Sequence, residues 1–441
     1  MARSLPTRPV RPARTGRLVS RTLLGLALAG TVATTVATTG TATAAPRTTT
    51  SPTVPASSAP SSTAQAPAAD GRPAATVPGP LRGHAATQAA LDEIVRTGTP
   101  GALARADVKG SVWYGTAGVA DVRTSRPRLP ADRFRTGSLT KPFTATVVLQ
   151  LAGDPRYGLS LDDPIEKWLP GVVQGNDNDG NRVTLRHLLQ HTSGLYDYLR
   201  DDAFRSKYTG AAFFDHRFDG ATAEELVAVG LSHRPNFAPG AGWSYSNTNY
   251  ALLGMVIEKA TGNSYATEIQ RRIIKPLGLT GTSLPGTAPG LPGPHGRHYS
   301  KLFIKDPAAP RYDVTELNPS IASSGGEIIS TARDLNVFLR ALVRGELLRP
   351  AQQREMFTGR DLGDGESYGL GIRSRKLKTC DVTLWGHSGD IFGSLSHTLA
   401  TPDGDHVLTL NRNSDWGDDE QEDAAIEAEF CGTRAGRATV G

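Results

Sequence analysis

Between Ala85 and Arg96 the apolar residues recur at helical spacing among polar ones, which predicts an amphipathic helix. Strand patterns follow near Ala102–Ala106 and Ser111–Ala117, joined by a tight turn at Lys109-Gly110, and predict two paired strands. From Ser138 to about Pro319 the pattern is mainly helical. It is punctuated by the turn clusters Gly175-Asn176-Asp177-Asn178-Asp179-Gly180 and Pro285-Gly286 through Gly293-Pro294. Strand patterns return at Gly369–Arg373, Val382–Leu384, Leu395–Leu399 and Val407–Leu410, the last two joined by the turn Pro402-Asp403-Gly404-Asp405. A last helix is expected from Asp418 to Phe430. Strands at both ends of a helical insert predict an α+β fold: an antiparallel sheet built from both chain ends and flanked by helices, plus a mainly helical lobe. The sheet lobe would take residues of about 81–137 and 320–435, the helical lobe about 138–319, and 436–441 would form a flexible tail.

Composition adds a compartment. Arg3, Arg8, Arg11, Arg14, Arg17 and Arg21 precede the apolar run Leu23-Leu24-Gly25-Leu26-Ala27-Leu28-Ala29-Gly30 and the small-residue site Ala42-Thr43-Ala44. This is the layout of a signal peptide over residues 1–44, so the protein is expected to be secreted. Residues 45–80 are almost all Thr, Ser, Pro and Ala and read as a disordered linker. No later stretch is long and apolar enough to cross a bilayer. The leader holds six arginines and no acid, so without it the formal charge of +5 becomes about −1. That removes the electrostatic basis for nucleic-acid binding. Cys380 and Cys431, the two cysteines of the chain, are expected to pair in an oxidising compartment. A monomer is expected.

Three short motifs carry the chemistry. Ser138-Leu139-Thr140-Lys141 opens a helix continued by Phe143 through Leu151. Residues three apart share a helix face, so the Lys141 amine would sit beside the Ser138 hydroxyl as its base, provided burial lowers the lysine pKa. Pro142 suits a first turn, and the Ser138 N–H at the helix start would supply half of an oxyanion hole. Tyr245-Ser246-Asn247 lies in a glycine-rich loop before an apolar helix. There Tyr245 could relay a proton and Asn247 could hold a substrate amide and position Lys141. His387-Ser388-Gly389-Asp390 ends an alternating strand. His387 would give the site a polar or cationic wall, Gly389 would permit close backbone approach, and the Asp390 N–H would be the second oxyanion donor.

In this order the motifs resemble the serine penicillin-recognising family of class C β-lactamases, esterases and D-alanyl-D-alanine carboxypeptidases, most of all its soluble secreted actinomycete carboxypeptidases. Further resemblance lies in Arg133-Phe134-Arg135-Thr136-Gly137-Ser138, in Thr184 through Tyr198, in Ser323-Ser324-Gly325-Gly326-Glu327-Ile328-Ile329-Ser330-Thr331 and in Tyr368-Gly369-Leu370-Gly371-Ile372-Arg373. The resemblance implies Ser138 as acylated nucleophile, Lys141 and Tyr245 as proton carriers, and Asn247 as amide ligand. It implies that His387 stands for the lysine of the K-T-G motif and that Arg373 helps bind a substrate carboxylate. One departure bears on substrate: such carboxypeptidases carry hydroxyl residues on both sides of the strand glycine, whereas Ser388 here is matched by Asp390. A carboxylate at that position favours an esterase, amidase or D-aminopeptidase.

Two other patterns compete. Gly365-Glu366-Ser367-Tyr368-Gly369 matches a nucleophile elbow but lacks the strand–turn–helix context. His187 and His191, four apart, lack the glutamate of a zinc-protease helix and are expected to support a helix end. The sequence therefore points to a secreted serine D-alanyl-D-alanine carboxypeptidase acting on peptidoglycan-type peptides, with β-lactams as acylating inhibitors and no metal or organic cofactor. The alternatives are an esterase, D-aminopeptidase or β-lactamase on the same machinery, and a β-lactam or muropeptide receptor without turnover.

Overall fold

The structure is a computed structural model that describes residues 84–306, 308–417 and 419–432. The expected leader, linker and C-terminal tail lie outside the described residues. Nine strands form one antiparallel sheet. They are β1 (Gly101–Val108), β2 (Ser111–Asp121), β3 (Arg126–Pro127), β4 (Arg360–Gly363), β5 (Glu366–Tyr368), β6 (Arg373–Leu377), β7 (Val382–Ile391), β8 (Ser394–Ala400) and β9 (His406–Arg412), in the spatial order β4-β5-β6-β7-β8-β9-β1-β2-β3. The two ends of the chain meet where β1 pairs with β9, Ala104 opposite Leu410.

Helix α1 (Ala85–Arg96) and the C-terminal helix α5 (Asp419–Cys431) cover one face of the sheet, burying Leu91, Ile94 and Ile426 against Ala104, Leu408 and Leu410. The other face packs on α4 (Ala332–Val343), and behind it lie α2 (Thr140–Ala152) and α3 (Asn247–Thr261). Both α2 and α3 are buried nearly all round, which explains why their sequences are apolar rather than amphipathic. Cys380 and Cys431 are bonded, with Cα atoms 5.4 Å apart, and tie the β6–β7 connection to the end of α5. Closing a loop of 51 residues contributes about 4 kcal/mol on the chain-entropy account.

Two strand expectations are corrected. Of the strand expected at Gly369–Arg373 only Arg373 is in a strand, as the first residue of β6; 369–372 form the turn between β5 and β6, which pair with Tyr368 opposite Arg373. Gly371 makes that turn at φ +77°, and a Cβ there would lie 2.4 Å from the Ala145 methyl and 2.7 Å from the Tyr250 hydroxyl. The strand expected to stop at Leu384 runs on to Ile391, so His387 and Asp390 sit within β7, opposite Thr398 and Leu395 of β8.

Candidate active site

A short 3-10 turn, Gly137–Leu139, leads into α2 and lifts Ser138 to the cleft floor. Lys141, one turn on, is fully buried, and its Nζ lies 2.9 Å from Ser138 Oγ, 2.8 Å from Asn247 Oδ1 and 2.9 Å from the Gly325 carbonyl. Burial draws its pKa down to about 7, with the negative charge of Asp197 pulling the other way. A fraction of the amine is therefore neutral near pH 7 and able to take the Ser138 proton.

Tyr245 stands over this pair, its ring centroid 4.9 Å from Lys141 Nζ. Burial raises its phenol well above the ordinary value, and the Ser138 hydroxyl acts weakly in the opposite sense. The phenol oxygen has no hydrogen-bond partner of regular geometry. It is thus a protonated donor, suited to passing a proton to a leaving group and unsuited to serving as a resting anion.

Glycines set the oxyanion site. A Cβ on Gly389 would sit 1.9 Å from the Thr136 carbonyl oxygen and 2.9 Å from Ser138 N, and one on Gly137, at φ +52°, would sit 2.8 Å from Asp390 N. Bare backbone on both sides lets β7 lie against the nucleophile turn, so the backbone nitrogens of Ser138 and Asp390, the expected oxyanion donors, both lie at this close contact.

Behind the site a hydrogen-bond chain fixes the histidines. His191 Nδ1 accepts from Ser246 N at 3.2 Å and Asn249 Nδ2 at 3.1 Å, so its Nε2 carries the proton toward Tyr368 Oη at 3.2 Å. Tyr368 Oη in turn donates to His387 Nε2 at 3.0 Å, which leaves His387 Nδ1–H for the Ser388 carbonyl. Burial first, and Lys141 second, push His387 down to about 3 and His191 well below its usual value. The wall that His387 supplies is therefore polar and neutral; the cationic option is corrected. Asp197 accepts from Asn247 N at 3.0 Å and from its Nδ2 at 3.2 Å, aiming the amide oxygen at Lys141.

Two cavities flank Ser138. One, of about 300 Å³, is lined by Tyr198, Phe204, Tyr208, Phe303 and Phe392 besides Asn247. The other, of about 220 Å³, brings the polar groups of Tyr245, His387, Ser388 and Arg373 together beside the Trp243 ring. Asp390, exposed at the end of β7, borders both. Arg373 reaches the second cavity but is already paired with Glu366.

All the site residues expected from sequence thus converge on one cleft, while the elbow-like Ser367 sits in β5 bonded to Ser374 Oγ at 2.7 Å, away from any such turn. His187 caps the helix Leu185–Leu189 through its box with Thr184, as a structural residue. Sequence reasoning missed Asp197 and Tyr368, and did not give His191 its place in the chain. Their signals, an Asp in Tyr196-Asp197-Tyr198 and a Tyr before Gly369, have no chemical spacing to mark them.

An antiparallel sheet flanked by helices, with a Ser–Lys–Tyr cleft at its edge, defines a serine hydrolase of the penicillin-recognising class. The chain belongs to the beta-lactamase family, whose model matches residues 81–430. Among solved structures it is similar to a D-stereospecific amidohydrolase from Streptomyces sp., at 50% identity and TM-score 0.74, covering 79% of this chain and 99% of that one. It is also similar to the D-amino acid amidase of Ochrobactrum anthropi SV3, at 29% identity and TM-score 0.66, covering 78% and 97%. Curated relatives include penicillin-binding protein 4* of Bacillus subtilis, 32% identical over 59% of this chain, and esterase EstB of Burkholderia gladioli, 37% identical over 41%. The match spans 56% and 45% of those two proteins' own lengths.

Proposed function

We propose that the protein is an exported serine amidohydrolase that releases an amino-terminal D-residue from small amides, esters or peptides, through an acyl-enzyme on Ser138. The observation that carries this reading is Asp390, a carboxylate where both cavities meet beside the nucleophile. It matches the charge of an α-ammonium group on the acyl side and opposes that of a terminal carboxylate on the leaving side. In this reading neutral Lys141 removes the Ser138 proton as the oxygen attacks the carbonyl. The N–H groups of Ser138 and Asp390 hold the oxyanion, Tyr245 gives its proton to the departing amine or alcohol as it takes one back from the Lys141 ammonium, and water then hydrolyses the acyl-enzyme by the reverse relay. The aromatic cavity takes the D-residue's side chain, and the leaving group lies between Trp243 and His387. The half-identical Streptomyces amidohydrolase supports the D-preference.

Carboxypeptidase action remains the second reading, favoured by Arg373 and Ser388 in the leaving-side cavity, though the pairing of Arg373 with Glu366 reduces the charge it offers. The test compares D-phenylalanine amide, its L-isomer, its N-acetylated form and a diacylated Lys-D-Ala-D-Ala peptide. The free D-amide should be the best substrate. Asp390→Thr should cost it about fivefold to tenfold in kcat/KM while leaving the N-acetylated form unchanged, the size of one charge contact near a surface. Faster cleavage of the Lys-D-Ala-D-Ala peptide would overturn the proposal in favour of a carboxypeptidase.

A further inference from the structure

The segment from Ser323 to Ile328 touches the nucleophile helix along its first two turns. Thr140 Oγ1 accepts from Ile328 N at 3.1 Å, Thr136 donates through both N and Oγ1 to the Ile328 carbonyl at 2.9 Å, and Thr144 Oγ1 donates to the Ser324 carbonyl at 2.7 Å. Between these contacts the Gly325 carbonyl accepts from Lys141 Nζ at 2.9 Å. The backbone that presents this carbonyl is strained, with Ser323 at φ 45°, ψ −152°, a conformation that persists where its surroundings enforce it.

Glu327 is placed to enforce it. Its side chain is 1% exposed and forms no ion pair among the described residues. Its carboxyl accepts from Tyr265 Oη, at the start of the helix Tyr265–Ile269, and from Gly286 N at 2.9 Å. Its own N–H bonds back to the Ser323 carbonyl at 3.2 Å, and the Tyr265 phenol also interacts with the Ser323 hydroxyl. A carboxyl buried this deeply is costly without a function or a cationic partner. The steps assigned above to Ser138, Lys141 and Tyr245 do not use it.

We propose that Glu327 is a positioning residue for Lys141: clamped by Tyr265 and Gly286, it locks the Ser323 turn so that the Gly325 carbonyl holds the lysine amine against Ser138. The inference rests on the reading of Lys141 as the base and is independent of the substrate's identity. Glu327, Tyr265 and Gly286 line neither cavity, whereas Gly325 and Gly326 border the aromatic one, so the effect is expected first on turnover and only secondarily on substrate binding.

The experiment measures hydrolysis of p-nitrophenyl acetate by Glu327→Ala, Glu327→Gln, Tyr265→Phe and Lys141→Ala, with rates expressed per folded molecule from active-site titration and melting curves. Glu327→Ala should lose about tenfold or more in kcat with a smaller change in KM, the worth of one positioning hydrogen bond. Glu327→Gln should recover most of that loss, since its amide oxygen can accept from Gly286 and its NH₂ can donate to Tyr265 Oη. Tyr265→Phe, which keeps the helix and the carboxyl, should fall between them and serves if Glu327→Ala does not fold. Variants with lower melting temperatures but wild-type kcat would overturn the proposal, leaving Glu327 a stabilising residue alone. A Lys141→Ala enzyme at the wild-type rate would instead overturn the base assignment on which it stands.

Discussion

Adding one methyl group at Gly389 should disable the enzyme without removing any catalytic side chain. The ideal Cβ lies 1.9 Å from the Thr136 carbonyl oxygen and 2.9 Å from both Ser138 N and Leu139 N. Carbon–oxygen contact needs about 3.4 Å, so β7 and the nucleophile turn must part by about 1.5 Å. Neither side can yield cheaply, because β7 is paired with β8 from Trp385 to Ile391 and with β6 as far as Gly386, and the turn is pinned by Thr136 to the Ile328 carbonyl. A separation of that size takes the Asp390 N–H out of reach of an oxyanion held by Ser138 N. Loss of one such donor, or a 1 Å misplacement, costs about 10²-fold to 10³-fold, so Gly389→Ala should lose about 3 to 4 kcal/mol of transition-state stabilisation. Overpacking should cost about 1–3 kcal/mol in stability, leaving the fold intact. The assay is kcat for a nitrophenyl ester beside far-ultraviolet circular dichroism and a melting curve. A folded Gly389→Ala enzyme within threefold of wild type would refute the reasoning, since the two N–H groups could not then form the hole.

Two further outcomes follow from the buried charges. Acylation should rise with pH along a limb centred at about 7, because Lys141 must be neutral to accept the Ser138 proton and burial places its pKa there; stopped-flow acylation that is flat from pH 5.5 to 8.5 would rule Lys141 out as the base. His387 should make the fold acid-sensitive. Its pKa is depressed to about 3 in the folded state, so as pH falls below about 6.5 the unfolded chain binds a proton first and stability drains away until about pH 3. Melting temperatures between pH 7 and 4 should thus fall less steeply for His387→Gln than for wild type, and equal slopes would show that the ring is not held neutral.

Much of the fold and the centre of the site were legible because they are written in local patterns. Ser138 and Lys141 are three residues apart on one helix start, and that spacing puts their side chains on one face, where Oγ and Nζ lie 2.9 Å apart. The short apolar runs of β1, β8 and β9, bounded by turn residues, marked the sheet, and β1 and β9 are buried almost throughout because helices cover both faces. What stayed hidden depends on contacts between distant segments. Asp197 acquires its role by meeting Asn247, fifty residues on, and the chain His191–Tyr368–His387 joins three segments that no spacing links. Gly371 looked like part of a strand because its neighbours are apolar, yet those neighbours are buried by α2 and α3 while the backbone turns.

The electrostatics of the cleft separate chemistry from selectivity. At the reacting atoms the groups are neutral or nearly so: a lysine drawn to about 7, two histidines that stay uncharged, and a phenol that stays protonated. These values follow from burial first, and burial is a property of the fold, so the machinery would serve any acyl group that fits. Charge returns at the rim, where Asp390 borders both cavities, Arg205 borders the aromatic one and Arg373 the other. A rim charge is partly solvated and contributes on the order of 1 kcal/mol to binding, which is enough to rank substrates and too little to drive the reaction. Amidase, esterase and peptidase activities on this framework would then differ by exchanges such as the one at position 390, with Ser138, Lys141 and Tyr245 unchanged.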